Sequence, residues 1–178
     1  MMQVHKEKDG PDTSESRMWV YSSAKRADIQ LRCFKYRESR SGKWARNFLE
    51  GFGGVLITEE YSGYNKVRDA ERAGCWTYLC AFLEHGEIEI SNNQVENAIR
   101  PFVVGRKGWL FADTPQGAEA SAIIYSLMET AKANNLRLDD YLLHLLSILP
   151  ERAERNKDFE VDDLLPWSEE MKSWFSAV

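Results

Sequence analysis

The chain has 178 residues, 43% of them hydrophobic, and a formal net charge of −5. That is enough apolar material for one domain with its own core. No run approaches the roughly 20 apolar residues that a membrane-spanning helix needs, and the opening MMQVHKEKDG is charged where a secretory signal is apolar, so a cytoplasmic protein with no membrane partner is expected.

Cys33, Cys75 and Cys80 follow no zinc-ligand spacing and are expected to be reduced thiols, and His5, His85 and His144 stand apart from any nucleophile or carboxylate pattern. Residues 1–50 carry 11 Lys and Arg against 7 Asp and Glu, whereas residues 151–178 carry 4 against 8. The acidic balance argues against a strong nonspecific DNA binder and leaves local basic patches open.

In chain order, MQVHKEK suits a short first strand. RMWVYSSA (17–24) and IQLRCFKYR (29–37) alternate aromatic and β-branched residues around KRAD, which predicts an antiparallel hairpin. SGKWARNFLEGFGG places Trp44, Phe48 and Phe52 at four-residue spacing and predicts a short amphipathic helix that ends at Gly53-Gly54. VLITEEYSGY reads as a buried strand with a polar end, giving an α/β order of elements.

Ser91 and Gln94 form a capping-box pattern, so a helix from about Asn92 sets Glu96 and Arg100 on one face, with Pro101 ending or bending it. QGAEASAIIYSLMETAKANN predicts a helix that stops at Asn134-Asn135. YLLHLLSIL, capped by Asp139 or Asp140 and stopped by Pro150, is apolar enough that burial is expected. The charged remainder looks like an arm docked through Leu164, Leu165, Trp167 and Trp174. Glu87 and Glu89 read as a solvated face, and Trp19, Trp44 and Trp76 as core aromatics.

The stretch SNNQVENAIRPFVVGRKGWLF (91–111) combines one carboxylate, Glu96, with amides, the cations Arg100, Arg106 and Lys107, and two aromatics. Such a mixture suits a backbone phosphate beside a divalent metal: the carboxylate holds the hard cation, guanidinium pairs with phosphate, and aromatics stack on unpaired bases. The simpler reading is a helix-surface ion pair between Glu96 and Arg100, worth a few tenths of a kcal/mol.

The run NNQVENAIRPFVVGRKGWLFADTPQGAEASAIIYSLMETAKANNL, together with SRMWVYSSA, YRESRSGKWARNFLEGFGGVLITEEYSGYNKV and AGCW upstream, resembles the insertion sequence sixty-six family of bacterial DDE transposases across most of residues 1–150. The resemblance implies an α/β fold, a partial RNase H-like mixed sheet with a helical C-terminal segment. It also implies Mg2+ or Mn2+ in a two-metal site for in-line phosphoryl displacement on transposon-end DNA.

Carried over by position, Glu96 matches the family's third acid. Glu59, in Thr58-Glu59-Glu60-Tyr61, stands where the second acid is an aspartate. The first acid belongs to an Asp-Glu-Thr that would fall before Met1, and Asp9 and Asp12 belong to a turn-like KDGPD. Catalytic and metal candidates are therefore Glu96 and Glu59, and DNA-binding candidates are Arg100, Arg106, Lys107, Asn92 and Asn93.

Relatives carry a long insert after the Cys-Trp, where Trp76 here runs almost directly into TYLCAFLEHGEI, so an internal deletion is expected near 76–82. The expected organisation is a partial catalytic domain (1–112), a helical segment (113–150) and an acidic arm (151–178). The expected function is DNA transposition, in a copy that is an inactive remnant. The alternative is a non-enzymatic module that forms a homo-oligomer or dimerises with, and inhibits, a full-length transposase.

Overall fold

The computed structural model describes residues 3–4, 16–58, 61–73, 93–105, 111–112, 114–156 and 158–177. It is a mixed α/β molecule whose strands, among the described residues, pair two by two. The predicted hairpin forms from β2 (Arg17–Ser22) and β3 (Arg32–Arg37), antiparallel with Trp19 opposite Lys35 and Val20 opposite Phe34. Strand alternation then sends Met18, Val20, Phe34 and Tyr36 to one face, where they build the first core cluster.

A short β1 (Gln3–Val4) lies parallel to β6 (Phe111–Ala112), more than 100 positions apart in sequence. β4 (Val55–Ile57) lies parallel to β5 (Glu71–Ala73), a strand that sequence pattern did not indicate.

α1 (Lys43–Phe48) is shorter than expected. It ends at Phe48 rather than at Gly53-Gly54, because the chain turns through Gly51 at φ 78°, a left-handed conformation that glycine adopts without steric cost. Its aromatic stripe is only partly covered: Ala45 is the buried residue, while Phe48 and Phe52 remain 36% and 42% exposed.

α2 (Asn93–Gly105) runs through Pro101 instead of ending there. Pro101 lacks an N–H and strains the preceding turn, but Phe102, buried against Phe34 and Tyr125 with ring centroids 6.1 and 5.2 Å away, fixes the turn beyond it.

α3 (Pro115–Ala133) begins one residue before the expected stretch, with Pro115 in the first turn and the Thr114 hydroxyl accepting from the Gly117 N–H at 3.0 Å. It stops where expected. Asn135 takes a left-handed φ of 59°, the Leu136 N–H donates to the Ala131 carbonyl and the Asn135 N–H donates to that of Lys132, which together make a Schellman motif closed by apolar Leu136.

α3 lies along the outer edge of β3. Its stripe of Ala118, Ala122, Ser126 and Thr130 is small enough for helix and strand backbones to approach, and the two hydroxyls bond β3 directly.

α4 (Leu138–Arg155) has Arg137 at its N-cap position, without a side-chain cap bond, while Asp139 and Asp140 fall in its first turn, and it continues past Pro150 to Arg155. Beyond the proline, Arg152 pairs with Asp163 and holds the last turn in place. The helix is buried on one face only: Tyr141 and Leu145 enter the second core cluster, whereas Leu143 and Leu146 are 67% and 73% exposed.

A 3-10 turn (Asp162–Leu164) and α5 (Glu169–Phe175, N-capped by Ser168) close that cluster through Leu164, Met171 and Phe175. Trp174, an expected anchor, is 54% exposed. Anchoring passes to Met171, which is fully buried on the adjacent side of the helix.

Candidate functional site

Glu96 is the fourth residue of α2. An acid in a first turn faces the positive end of the helix dipole, a placement worth about 0.3–1 kcal/mol at the surface. Helical periodicity turns Ala98, Ile99 and Phe102 toward the hairpin, where they are buried or packed on the first cluster. Glu96, Asn97 and Arg100 face outward and are exposed.

Glu96 and Arg100 thus sit one turn apart on the same exposed face, as read from sequence. They do not form the expected ion pair: the ion pairs among the described residues lie elsewhere. Two long exposed side chains gain little Coulomb energy in water against the rotamer freedom a fixed pair gives up.

Asn93 is the first residue of α2. Glu59, Asn92, Arg106 and Lys107 lie outside the described residues, as do the Ser91–Gln94 capping contact, Cys75, Cys80, Trp76, Glu87 and Glu89. The segment leading to Glu59 is well braced. Thr58, at the end of β4, is buried, its N–H donates to the Ala73 carbonyl of β5 at 3.2 Å, and its hydroxyl accepts from Arg72 Nε at 3.0 Å. Arg72 also donates to Asn65 of the intervening 3-10 turn. No sequence signal marked Arg72, an isolated cation in a three-residue strand.

Cys33, on β3, is a half-buried thiol whose pKa is raised chiefly by burial. His144 packs against the rings of Trp174 and Phe175, with centroids 5.5 and 5.3 Å away, so its contacts are packing contacts. Among the described residues, no group of three or more His, Cys, Asp or Glu side chains could hold a metal ion, and no helix is long and apolar enough to cross a membrane.

A helix bearing one outward glutamate thus packs beside the antiparallel hairpin. Residues 1–80 and 76–120 match the model described as "Transposase IS66 family". The chain belongs to the IS66 transposase family.

Among curated proteins it is similar to three from Sinorhizobium fredii (strain NBRC 101917 / NGR234). The uncharacterized protein y4qI is 36% identical over 60% of this chain and 20% of its own length. The corresponding figures are 33%, 52% and 18% for y4jD, and 27%, 52% and 16% for y4hP. The matched stretches thus span about a fifth of these relatives' length. No solved structure matches the chain.

Proposed function

We propose that this chain is a remnant of an IS66-family transposase, derived from an enzyme of DNA strand cleavage and transfer and itself catalytically silent. The carrying observation is the pair of family matches, 1–80 and 76–120, which meet at residues 76–80. A junction there supports the reading that material between the second and third acids has been deleted, leaving Glu59 and Glu96 only 37 positions apart.

Glu96 descends from the family's third acid, and Glu59 replaces the second, an aspartate. An added methylene moves a carboxylate by more than about 1 Å, and misplacement on that scale costs around a hundredfold in rate. The mixed α/β arrangement, with Glu96 on a helix beside the hairpin, supports a partial RNase H-like framework. The divalent metal that transposases use would be held by Glu96 and Glu59, with Arg100, Arg106, Lys107, Asn92 and Asn93 toward DNA. No reaction step is assigned to that site.

The test is incubation of the full chain with a labelled transposon-end duplex in magnesium or manganese. No nicking and no strand transfer is the expected result. Robust activity abolished by Glu96→Ala would overturn the silence of this copy.

A second reading is that the chain dimerises with a full-length transposase and restrains it. The exposed Leu143 and Leu146 on α4 favour it, as apolar side chains available to a partner. Co-expression with an intact relative should then lower transposition frequency, and an unchanged frequency rejects it.

A further inference from the structure

We infer that the face of the hairpin turned away from its core, together with α1, is a binding surface for the phosphate backbone of double-stranded DNA. The inference rests on family membership for the kind of partner, and on geometry and charge for the place.

The register sets Trp19 opposite Lys35 and Arg17 opposite Arg37, so these side chains share the face opposite Phe34 and Tyr36. α1 covers part of that face through Phe48, stacked on Tyr21 with centroids 4.1 Å apart, and Tyr64 of the 3-10 turn (Ser62–Lys66) meets Trp19 edge-on at 5.7 Å.

Four cations are held around this aromatic frame. Arg37 lies 4.9 Å and Lys43 4.1 Å from the Trp44 ring centroid, Arg40 lies 4.2 Å from that of Tyr61, and Lys35 lies 6.0 Å from that of Phe48. Cation–π contact fixes the position of a charge without neutralising it. Such side chains therefore lose less freedom on meeting an anion than free lysines and arginines do. Carboxylates are scarce: of these four cations, only Lys43 has an acidic partner among the described residues, Glu38 at 3.8 Å.

Residues 16–50 carry 9 Lys and Arg against 3 Asp and Glu, a net of +6 within a chain of −5. Charge of that sign and density selects a polyanion. A second copy could offer residues 136–178, which carry 5 Lys and Arg against 10 Asp and Glu. Those residues lie outside the stretches that match the family, whereas the basic face lies wholly inside the 1–80 match. A partner common to the family, nucleic acid, therefore fits better than a tail outside the matched stretches. The ring faces carry cations in place of bases, so the surface reads charge and not sequence.

The test measures binding of the full chain to a short labelled duplex of mixed sequence, by fluorescence anisotropy in EDTA, so that catalytic competence plays no part. Four phosphate contacts predict an affinity loss of about a hundredfold between about 50 and 200 mM salt, with a log–log slope near −3.6. The variant Lys35→Gln/Arg37→Gln/Arg40→Gln/Lys43→Gln should bind at least about tenfold more weakly at low salt and flatten that slope by about 3. The charge-keeping Lys35→Arg/Lys43→Arg should bind as the parent does, and a retained cooperative melt shows that both variants fold.

Three outcomes overturn the inference: no duplex binding by the parent chain, a slope shallower than about −1, or a glutamine variant that binds unchanged. Loss of self-association in the glutamine variant with duplex binding intact also overturns it, in favour of a second copy. Nicking activity, by contrast, would overturn catalytic silence and leave this surface standing.

Discussion

Thr130 of α3 bonds both backbone groups of Arg32: its Oγ1 accepts from the Arg32 N–H at 3.0 Å and donates to the Arg32 carbonyl at 2.9 Å. One turn earlier, Ser126 Oγ accepts from the Phe34 N–H at 2.8 Å. Outward N–H and C=O groups of an edge strand are a template for aggregation unless covered, and here two hydroxyls at i,i+4 cover them. Thr130→Val keeps shape and removes both bonds, leaving two buried backbone groups unsatisfied at about 1–3 kcal/mol each. The expected result is a melting temperature lower by several degrees and a greater tendency to aggregate on heating, read by calorimetry and light scattering. Thr130→Ser should restore most of the loss.

Tyr141 is fully buried and its hydroxyl donates to the Leu164 carbonyl at 2.9 Å, joining α4 to the 3-10 turn (Asp162–Leu164) that carries α5. Burial raises the pKa of this phenol, so it stays a donor across the physiological range. Tyr141→Phe should cost about 1–2 kcal/mol by stranding that carbonyl. Denaturant melts with an unchanged m value would confirm a loss of stability without a change of core.

The Schellman turn after α3 places Asn135 at positive φ. Asn135→Gly relieves the residual strain and should be neutral or slightly stabilising, whereas Asn135→Val should cost about 1–2 kcal/mol, because a β-branched side chain is least tolerated there. Equal melting temperatures for the two variants would contradict the assigned turn.

Arg152 donates two hydrogen bonds to the Asp163 carboxylate, one of them 2.8 Å long, and this lowers the pKa of Asp163. A carboxyl whose pKa is lower folded than unfolded stabilises the fold in full above its unfolded value, near 4, and that contribution is lost as pH falls through the folded value. Both side chains are about one-third exposed, so solvent screens the effect. Acid titration of stability should therefore show a component below about pH 4 that disappears in Asp163→Asn, which should be less stable than the parent at neutral pH and converge toward it in acid.

Glu96, exposed and outside the described ion pairs, should tolerate Glu96→Ala within about 1 kcal/mol of parental stability, the value of an acid in a first turn. Chemical denaturation checks this, and a small value makes the variant a clean probe of catalysis.

Local pattern made the hairpin, α3 and the exposed side of α2 legible, because alternation, the Asn134-Asn135 stop and outward Glu96 and Arg100 are properties of nearby residues. The helices that run through Pro101 and Pro150 were not legible, since what carries them past proline is contact with distant residues, Phe34 and Tyr125 in one case and Asp163 in the other. β5 was missed because three residues hold no period, and its partner lies 16 positions away. Glu96's place on a helix could be read from the sequence. Its lack of an ion pair could not, because rotamer freedom leaves no trace in residue spacing.

α3 contributes Ala118 and Ala122 to one apolar cluster and Ala131 to the other. It serves as a party wall: neither chamber can be taken down with its enclosure intact. A break in the gene anywhere within codons 115–133 would strip a side from both chambers at once. The smallest piece of this chain that can persist as a folded body therefore extends well past residue 120, the end of the stretches that match the family.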